Sequence, residues 1–499
     1  MTEQWKIFEA ELEGTQAGNP YREVFLEADF RNGGTVVPVK GFYCGEGKYR
    51  IRFMPAQQGI WRAVTKSNDP QLDGVEILCE CEAAKKGNHG RVLPRSEVRS
   101  QKKSEACRED LFRFSYEDGT AFHPFGTTCY AWIHQEEKVQ EQTLETLKMS
   151  PFNKVRMCIF PKYYIYNEKE PKDYPFAVDE QGGFDLESFQ PAFWDRLEKR
   201  IAQLDEMGIQ ADLILFHPYD KWGFSKMEQN ADVFYLEYAV RRLSHYKNVW
   251  WSMANEYDLL TWKTKEDWEL YADTVIANDP YGHLRSIHNC MKFYDYTKPW
   301  ITHCSIQRTD IYKTAELVNK WRECYQKPVV VDECAYEGNI NYGWGNITGE
   351  ELTRRFWEGC IRGGYLSHGE TYVDRGELIW WAHGGPLYGS SPTRIGFLRK
   401  VIEEAPEDAA PLKVTPENAA QNWDVPCLCK EDEYFLYYFG FSCPSFRTYE
   451  LPEGAEYEIE LLDTWNMTIQ KLPGIYAGNI RLEMPGRQYM AFRMKKIKR

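Results

Sequence analysis

At 499 residues the chain is too long for one ordinary domain, and with 43% hydrophobic and 27% charged residues it can bury a sizeable core and is not disordered. Its 61 Lys and Arg against 75 Asp and Glu leave a net charge of −14, which disfavours nucleic acid or an anionic membrane as the main partner. No apolar run approaches the roughly 18 residues of a membrane span, and the start Met-Thr-Glu-Gln-Trp-Lys has neither a basic nor an apolar leader region, so a cytoplasmic location is expected.

Residues 1–92 read as strands and turns. Residues 21–30 and 48–53 alternate apolar and polar side chains, the period of a half-buried strand. Asn32-Gly-Gly and Asn68-Asp-Pro punctuate the turns. Short strands without a helical pattern predict an Ig-like β-sandwich, followed by a polar linker around residues 85–91.

Over residues 105–405 the pattern becomes strand, helix, strand, helix. Phe112-Arg-Phe-Ser-Tyr, the Asp118-Gly119 turn and Ala121-Phe-His-Pro-Phe-Gly predict a hairpin that leads into a first buried strand. Apolar strand-like runs follow at 155–160, 209–216, 249–254, 284–288, 301–306, 329–331 and 365–371. Between them lie amphipathic helices. One carries Trp194, Leu197, Ile201 and Leu204 on a single stripe and ends at Gly208; others carry Leu317, Val318 and Trp321, and Leu352, Phe356, Trp357 and Cys360. Eight strands alternating with helices fit a (β/α)8 TIM barrel. A doubly wound sheet is the rival, but the Gly-rich phosphate loop that usually follows its first strand is missing from this sequence.

Residues 408–499 return to alternating strands, around 434–439, 457–462 and 489–494, and predict a second small β-sandwich. The 14 cysteines are scattered, and read as reduced, mostly buried thiols. Cys79/Cys81 and Cys427/Cys429 form C-x-C pairs in β-like segments, but no C-x-x-C accompanies them, so no metal is expected there. Aromatic content is high, at 15% with 17 Trp and 32 Tyr, which suits either a large core or a cleft whose flat rings stack on sugars.

Catalytic groups of such a barrel sit at the C-terminal ends of its strands. The fourth strand ends Trp250-Trp-Ser-Met-Ala-Asn-Glu, which places Asn255 and Glu256 at the mouth. The seventh ends Val329-Val-Val-Asp-Glu and places Asp332 and Glu333 there. Strands four and seven lie across the barrel from one another, so the two glutamates can converge. Paired carboxylates about 5–5.5 Å apart are what a retaining glycosidase needs, one to attack the anomeric carbon and one to protonate the leaving oxygen and then activate water. A single Glu at a strand end is usually a surface or salt-bridged residue; two glutamates 77 positions apart at these two ends favour catalysis.

Trp251-Ser-Met-Ala-Asn255-Glu256 resembles the Asn-Glu signature after strand four of the retaining GH-A clan of glycoside hydrolases, and Val330-Val-Asp-Glu333 resembles that clan's nucleophile strand. The resemblance implies that Asn255 binds the sugar 2-hydroxyl, that Glu256 is the acid/base and that Glu333 is the nucleophile. The layout as a whole is more similar to the apiosidase-like hydrolases of plant-glycan-degrading bacteria, which join an Ig-like N-terminal domain, a barrel and a C-terminal β-sandwich. Phe122-His-Pro-Phe-Gly-Thr-Thr at strand one and Gly363-Gly364 before strand eight match that group. One position departs: apiosidases carry an Asp as acid/base on strand four, where this chain has Glu256. The sugar is therefore left open.

Further residues of the mouth are expected to contact substrate. Arg156, on strand two, has the type and place to pair with the nucleophile and keep it ionised; a buried structural ion pair is the alternative. His217, in Phe216-His-Pro-Tyr-Asp220, and His288, His303, His368 and Glu370 all fall at strand ends and are expected to bond sugar hydroxyls. Trp132 follows strand one, and Trp380 and Trp381 follow strand eight. Neighbours in a strand point to opposite sides, so one of the last two, assigned to Trp380, faces the cleft and the other belongs to the core or a domain interface.

Two rival readings remain. A metal-dependent amidohydrolase would need H-x-H after strand one, where this chain has His123 alone. A catalytically inactive carbohydrate-binding protein on the same fold would be expected to lose one glutamate first, and both are present. The sequence therefore predicts a cytoplasmic, cofactor-free, retaining exo-glycosidase acting on short plant-derived oligosaccharides or glycosides. Its partner is a small carbohydrate, not nucleic acid or membrane. The two β-domains are expected to brace the barrel and to offer contacts for a homo-oligomer.

Overall fold

The computed structural model describes residues 1–105 and 107–497. An N-terminal β-sandwich comes first. Its five-stranded sheet contains Leu26–Asn32, Thr35–Lys40, Gly59–Ser67 and Glu76–Glu82, and its three-stranded sheet contains Phe8–Glu13, Phe42–Gly45 and Lys48–Phe53. Alternation explains the pairing: Leu26, Ala28 and Phe30 of one sheet meet Tyr49, Ile51 and Phe53 of the other, while Glu27 and Arg31 face solvent. The predicted strand at 21–30 begins only at Leu26, because Pro20 opens one helical turn over Pro20–Glu23, capped by the Asn19 side chain. Cys79 and Cys81 lie together on the inward face of Glu76–Glu82, and both belong to the sandwich core.

The catalytic-size unit is a barrel of eight parallel strands, numbered here β1 (Phe125–Thr128), β2 (Lys154–Cys158), β3 (Gln210–Ile214), β4 (Val249–Ser252), β5 (Arg285–Ser286), β6 (Cys304–Gln307), β7 (Val329–Glu333) and β8 (Tyr365–His368). Their order is β5-β4-β3-β2-β1-β8-β7-β6, and a parallel bridge between His288 and Ser305 closes the ring between β5 and β6. Helices alternate with them as the sequence pattern requires. In Pro191–Glu206 the stripe Trp194, Leu197, Ile201 and Leu204 is at most 1% exposed, and Gly208 leaves the helix in the left-handed region at φ 72°. Helix Gly349–Ile361 buries Leu352, Phe356, Trp357 and Cys360 in the same way.

Below the barrel, a small sheet of Val92–Pro94, Phe114–Tyr116 and Ala121–Phe122 plugs its N-terminal end. Phe114 and Phe122 reach Trp250, Leu284, Val330 and Tyr365 there. Above this plug the interior turns polar. Lys154 Nζ lies 2.7 Å from both Asp212 Oδ2 and Asp332 Oδ1, and Ser305 and Ser367 donate to the two oxygens of Asp332 at 2.6 and 2.9 Å. These charges are buried but satisfied, and they form the floor on which the site rests.

A six-stranded C-terminal sheet includes Cys427–Lys430, Tyr434–Tyr438, Tyr457–Asp463 and Met490–Lys496. The ribbon Phe446–Glu450 with Asn479–Glu483 packs on it through Tyr449 and Leu482. Both flanking domains grip the barrel. Arg52 of the N-terminal sandwich shares Glu198 with Arg242 in a buried charge network, and Arg493 of the C-terminal sheet bonds Glu404 Oε2 at 2.8 Å. Among the described residues no helix is long and apolar enough to cross a membrane.

Candidate active site

Eight residues in or after seven different strands converge above that floor: Tyr130 after β1, Lys162 after β2, Tyr219 after β3, Asn255 and Glu256 after β4, Gln307 on β6, Glu333 on β7 and Trp381 after β8. With Tyr164 and Trp344 they line one pocket. Both predicted glutamates are therefore brought to one cavity.

Local backbone distortion aims each of them. On β7, Val330 and Asp332 point into the barrel, so strict alternation would turn Glu333 outward. Pairing with β6 passes from Val331 opposite Ile306 to Glu333 opposite Gln307, skipping Asp332, and this bulge lets Asp332 and Glu333 both face the interior. Glu256 sits at φ 53° and ψ 54°, a left-handed conformation that a non-glycine residue adopts at a cost and that recurs at functional sites.

The partners of the two carboxylates differ. Glu333 Oε1 accepts from the Tyr130 hydroxyl, which also lies 2.9 Å from Asn255 Oδ1 and takes a hydrogen bond from Arg156 Nη1 at 3.2 Å. Arg156 Nη1 is itself 3.7 Å from Glu333 Oε1. Glu256 Oε2 accepts from the Tyr219 hydroxyl. His288 stands behind both: Glu256 N–H donates to its Nδ1 at 3.4 Å, and its Nε2 faces Glu333 Oε1 at 3.8 Å. Burial, followed by the field of Arg156, pushes the His288 pKa far down, so the ring is neutral. Its Nδ1 accepts, so Nε2 carries the proton toward Glu333.

Burial and then the charge of Glu256 push the Glu333 carboxyl up to about 7, against Arg156, the Tyr130 hydrogen bond and Lys162, which pull it down. The Lys162 ammonium stands 3.5 Å from the centre of the Tyr130 ring, 4.3 Å from Tyr219 and 4.8 Å from Trp381. Removing the Arg156 charge raises the Glu333 pKa further, because the ionised form loses a favourable neighbour. In Arg156→Met the acid limb of kcat/KM is accordingly expected to move to higher pH. A uniform loss at every pH, with the limb in place, would show that Arg156 serves only the barrel floor.

Several expected substrate contacts are corrected. Trp132 is wholly buried in the barrel core with Nε1 3.0 Å from Met157 Sδ, because the chain after β1 turns back under the site in a short 3-10 turn. His303 precedes β6 by one residue and so lies at the opposite end of the barrel, against Phe114 and Trp250. His217 is buried, with Nε2 bonded to the Phe160 carbonyl at 3.2 Å, and does not line the pocket. Trp380 and Trp381 lie in a helical turn, Trp380–His383, and not in a strand. Trp380 turns inward to bond Thr127 Oγ1 at 2.8 Å, and Trp381 faces the pocket in its place. His368 and Glu370 are buried outside the pocket lining, in a cluster with Glu337. Arg156 and His288 are placed behind the carboxylates, and Asn255 lines the pocket as expected.

Sequence reasoning passed over Tyr130, Lys162, Tyr164, Tyr219, Gln307 and Trp344. Tyr219 and Tyr130 had a usable signal, since each follows a strand end by a few residues. Trp344 and Lys162 stand on irregular loops, where no periodicity points to the cavity.

An eight-stranded barrel with two buried glutamates converging at its mouth defines a TIM-barrel glycoside hydrolase. The chain belongs to the apiosidase-like family: the model of the apiosidase-like catalytic domain matches residues 109–392. Two domains of unknown function, DUF5060 and DUF5605, match residues 1–68 and 423–495. The crystal structure of a candidate glycoside hydrolase from Bacteroides vulgatus ATCC 8482 is similar over 99% of both chains, at 37% identity and a TM-score of 0.91. A glycoside hydrolase family 5 protein from the same organism shares the fold, at 15% identity and a TM-score of 0.60 over 82% of this chain and 93% of its own. No curated protein matches the chain.

Proposed function

We propose that the protein is a retaining exo-glycosidase acting on short plant-derived oligosaccharides or glycosides, with Glu333 as nucleophile and Glu256 as acid/base. The carrying observation is the asymmetry around the two carboxylates. Tyr130 O–H, Arg156 and the His288 Nε2–H address Glu333, whereas Glu256 accepts from the Tyr219 hydroxyl and meets the Cys290 thiol, and the Lys162 ammonium faces both carboxylates. These donors and the Arg156 cation favour negative charge on Glu333, the form in which it attacks.

In the first step the Glu333 carboxylate attacks the anomeric carbon while Glu256 gives its proton to the leaving oxygen. In the second, Glu256, now a carboxylate, takes a proton from water. That water attacks the anomeric carbon, breaks the ester to Glu333 and restores the starting protonation. Asn255, beside Glu256 and bonded to Tyr130, is in place to hold the sugar 2-hydroxyl. Trp344 and Trp381, with centroids 5.0 Å apart, offer flat faces for a ring. The small size of the cavity supports the end-cutting, short-substrate reading. We further take residues 1–92, 105–405 and 408–499 as the three domains, the outer two bracing the barrel.

A panel of aryl pyranosides and furanosides of both anomers tests this reading. Release from one sugar by the wild type, and none by Glu333→Ala, supports it. Binding of plant oligosaccharides by calorimetry, with no turnover of any of them, would instead favour a carbohydrate-binding protein.

A further inference from the structure

Beyond the pocket, the ends of β7 and β8 hold a buried cluster that the mechanism does not use. Glu337, His368 and Glu370 each place a ligand atom within 4.8 Å of the others, and none of the three residues is more than 1% exposed. His368 Nδ1 is engaged by Thr127 Oγ1 at 3.0 Å, while its Nε2 is buried with no partner among the described residues. Nε2 is thus the nitrogen left to meet the carboxylates. Neither glutamate makes an ion pair with Lys or Arg among the described residues; Arg375, whose field reaches Glu370, is exposed and faces Asp374.

Everything else around the cluster orients it. Glu337 Oε1 accepts from Ser390 N at 2.7 Å, Ser390 Oγ at 3.0 Å and Tyr372 O–H at 3.1 Å, and Oε2 accepts from Ser391 N at 3.0 Å. Glu370 accepts from the backbone N–H groups of Tyr388 and Gly389 at 2.6 and 2.7 Å. Thr127 Oγ1, which holds His368, is itself fixed by Trp380 Nε1. A Cβ on Gly389 would come within 2.5 Å of Glu337 Oε2 and 2.6 Å of Glu370 Oε2, so both oxygens converge on one point. Two buried carboxylates without a cation are costly. An imidazole held through its far nitrogen, beside carboxylates oriented by hydrogen bonds, is the outer shell that metal ligands carry.

We propose that Glu337, His368 and Glu370 bind one divalent transition-metal ion, with zinc(II) the best fit to one imidazole and two carboxylates. The set has fewer oxygens than calcium takes and includes a nitrogen that magnesium does not favour. At zinc bond lengths of about 2.0–2.1 Å the ligand atoms close by up to roughly 1.5 Å from their present spacing. The ion joins the two loops that wall the pocket: Glu337 and Gly338 pair with Glu370 and Thr371, and these segments lead to Trp344 and Trp381. It is a structural staple, and its ligands lie outside the pocket lining.

The test is elemental analysis of the full-length protein, purified without a histidine tag or chelator and then equilibrated with zinc(II) and desalted. About one zinc per chain is expected, with a Tm that falls on chelation and returns when zinc is restored. His368→Gln and Glu370→Gln, each checked for native circular dichroism, should lose the ion. Less than about 0.1 zinc per chain in the wild type, with a Tm indifferent to chelator and to zinc, would overturn the site. Folded variants that keep the full zinc content would overturn it equally. Metal content is read without substrate, so the result stands apart from the glycosidase assignment.

Discussion

Glu333→Ala is expected to lower kcat/KM by at least about 10⁴-fold, or roughly 5.5 kcal/mol of transition-state stabilisation. The reason is chemical: without the carboxylate no covalent glycosyl intermediate forms, and Tyr130, Arg156 and Lys162 are left addressing an empty position. Truncation also removes the group whose titration near 7 governs the acid limb, so the residual activity should lose that limb. Azide, small enough to occupy the vacated space, should restore turnover of activated aryl glycosides and give a glycosyl azide of inverted configuration. Steady-state kinetics with circular dichroism to confirm folding checks this. A loss smaller than about tenfold would remove Glu333 from the nucleophile role.

Glu256→Ala is expected to behave differently, because its loss depends on the leaving group. Substrates with poor leaving groups should slow by about 10³–10⁴-fold, since they need the proton, and aryl glycosides with acidic phenols much less. With those good leaving groups the glycosyl-enzyme accumulates, as no base remains to activate water. Azide needs no base, so it should accelerate turnover and yield a glycosyl azide of retained configuration. The opposite azide stereochemistry in the two variants separates the two roles. Equal losses across all leaving groups would contradict an acid function for Glu256.

The alternation of strand and helix made the barrel legible, because apolar runs of the right length recur eight times and each ends at a turn or helix signal. Strand-end positions made Glu256 and Glu333 legible for the same reason, since a parallel barrel puts all C-terminal ends on one face. The bulge at Asp332 was not legible, yet it decides that Glu333 faces inward. Strand alternation alone would have pointed it away. His303 was misplaced because the run 301–306 looked like one strand, whereas β6 starts only at Cys304 and puts His303 at the barrel's base. Trp380 and Trp381 were separated correctly into one inward and one cleft-facing residue, but the choice between them depended on a helical turn that a strand pattern does not show. The aromatic composition, read as either core or cleft, proves to serve both. Trp132, Trp194, Trp250 and Trp251 are buried in the barrel, while Trp344 and Trp381 wall the pocket.

The double-displacement mechanism is tested most directly by the stereochemistry of the first product. Once the panel has identified a hydrolysed glycoside, proton NMR followed from the first turnovers, before mutarotation, reads the anomer released. Retention of the substrate's configuration is the predicted result, because Glu333 and water attack the same carbon in succession from opposite faces. Inversion would contradict a covalent intermediate on Glu333 and would make that carboxylate a base for a single direct attack by water.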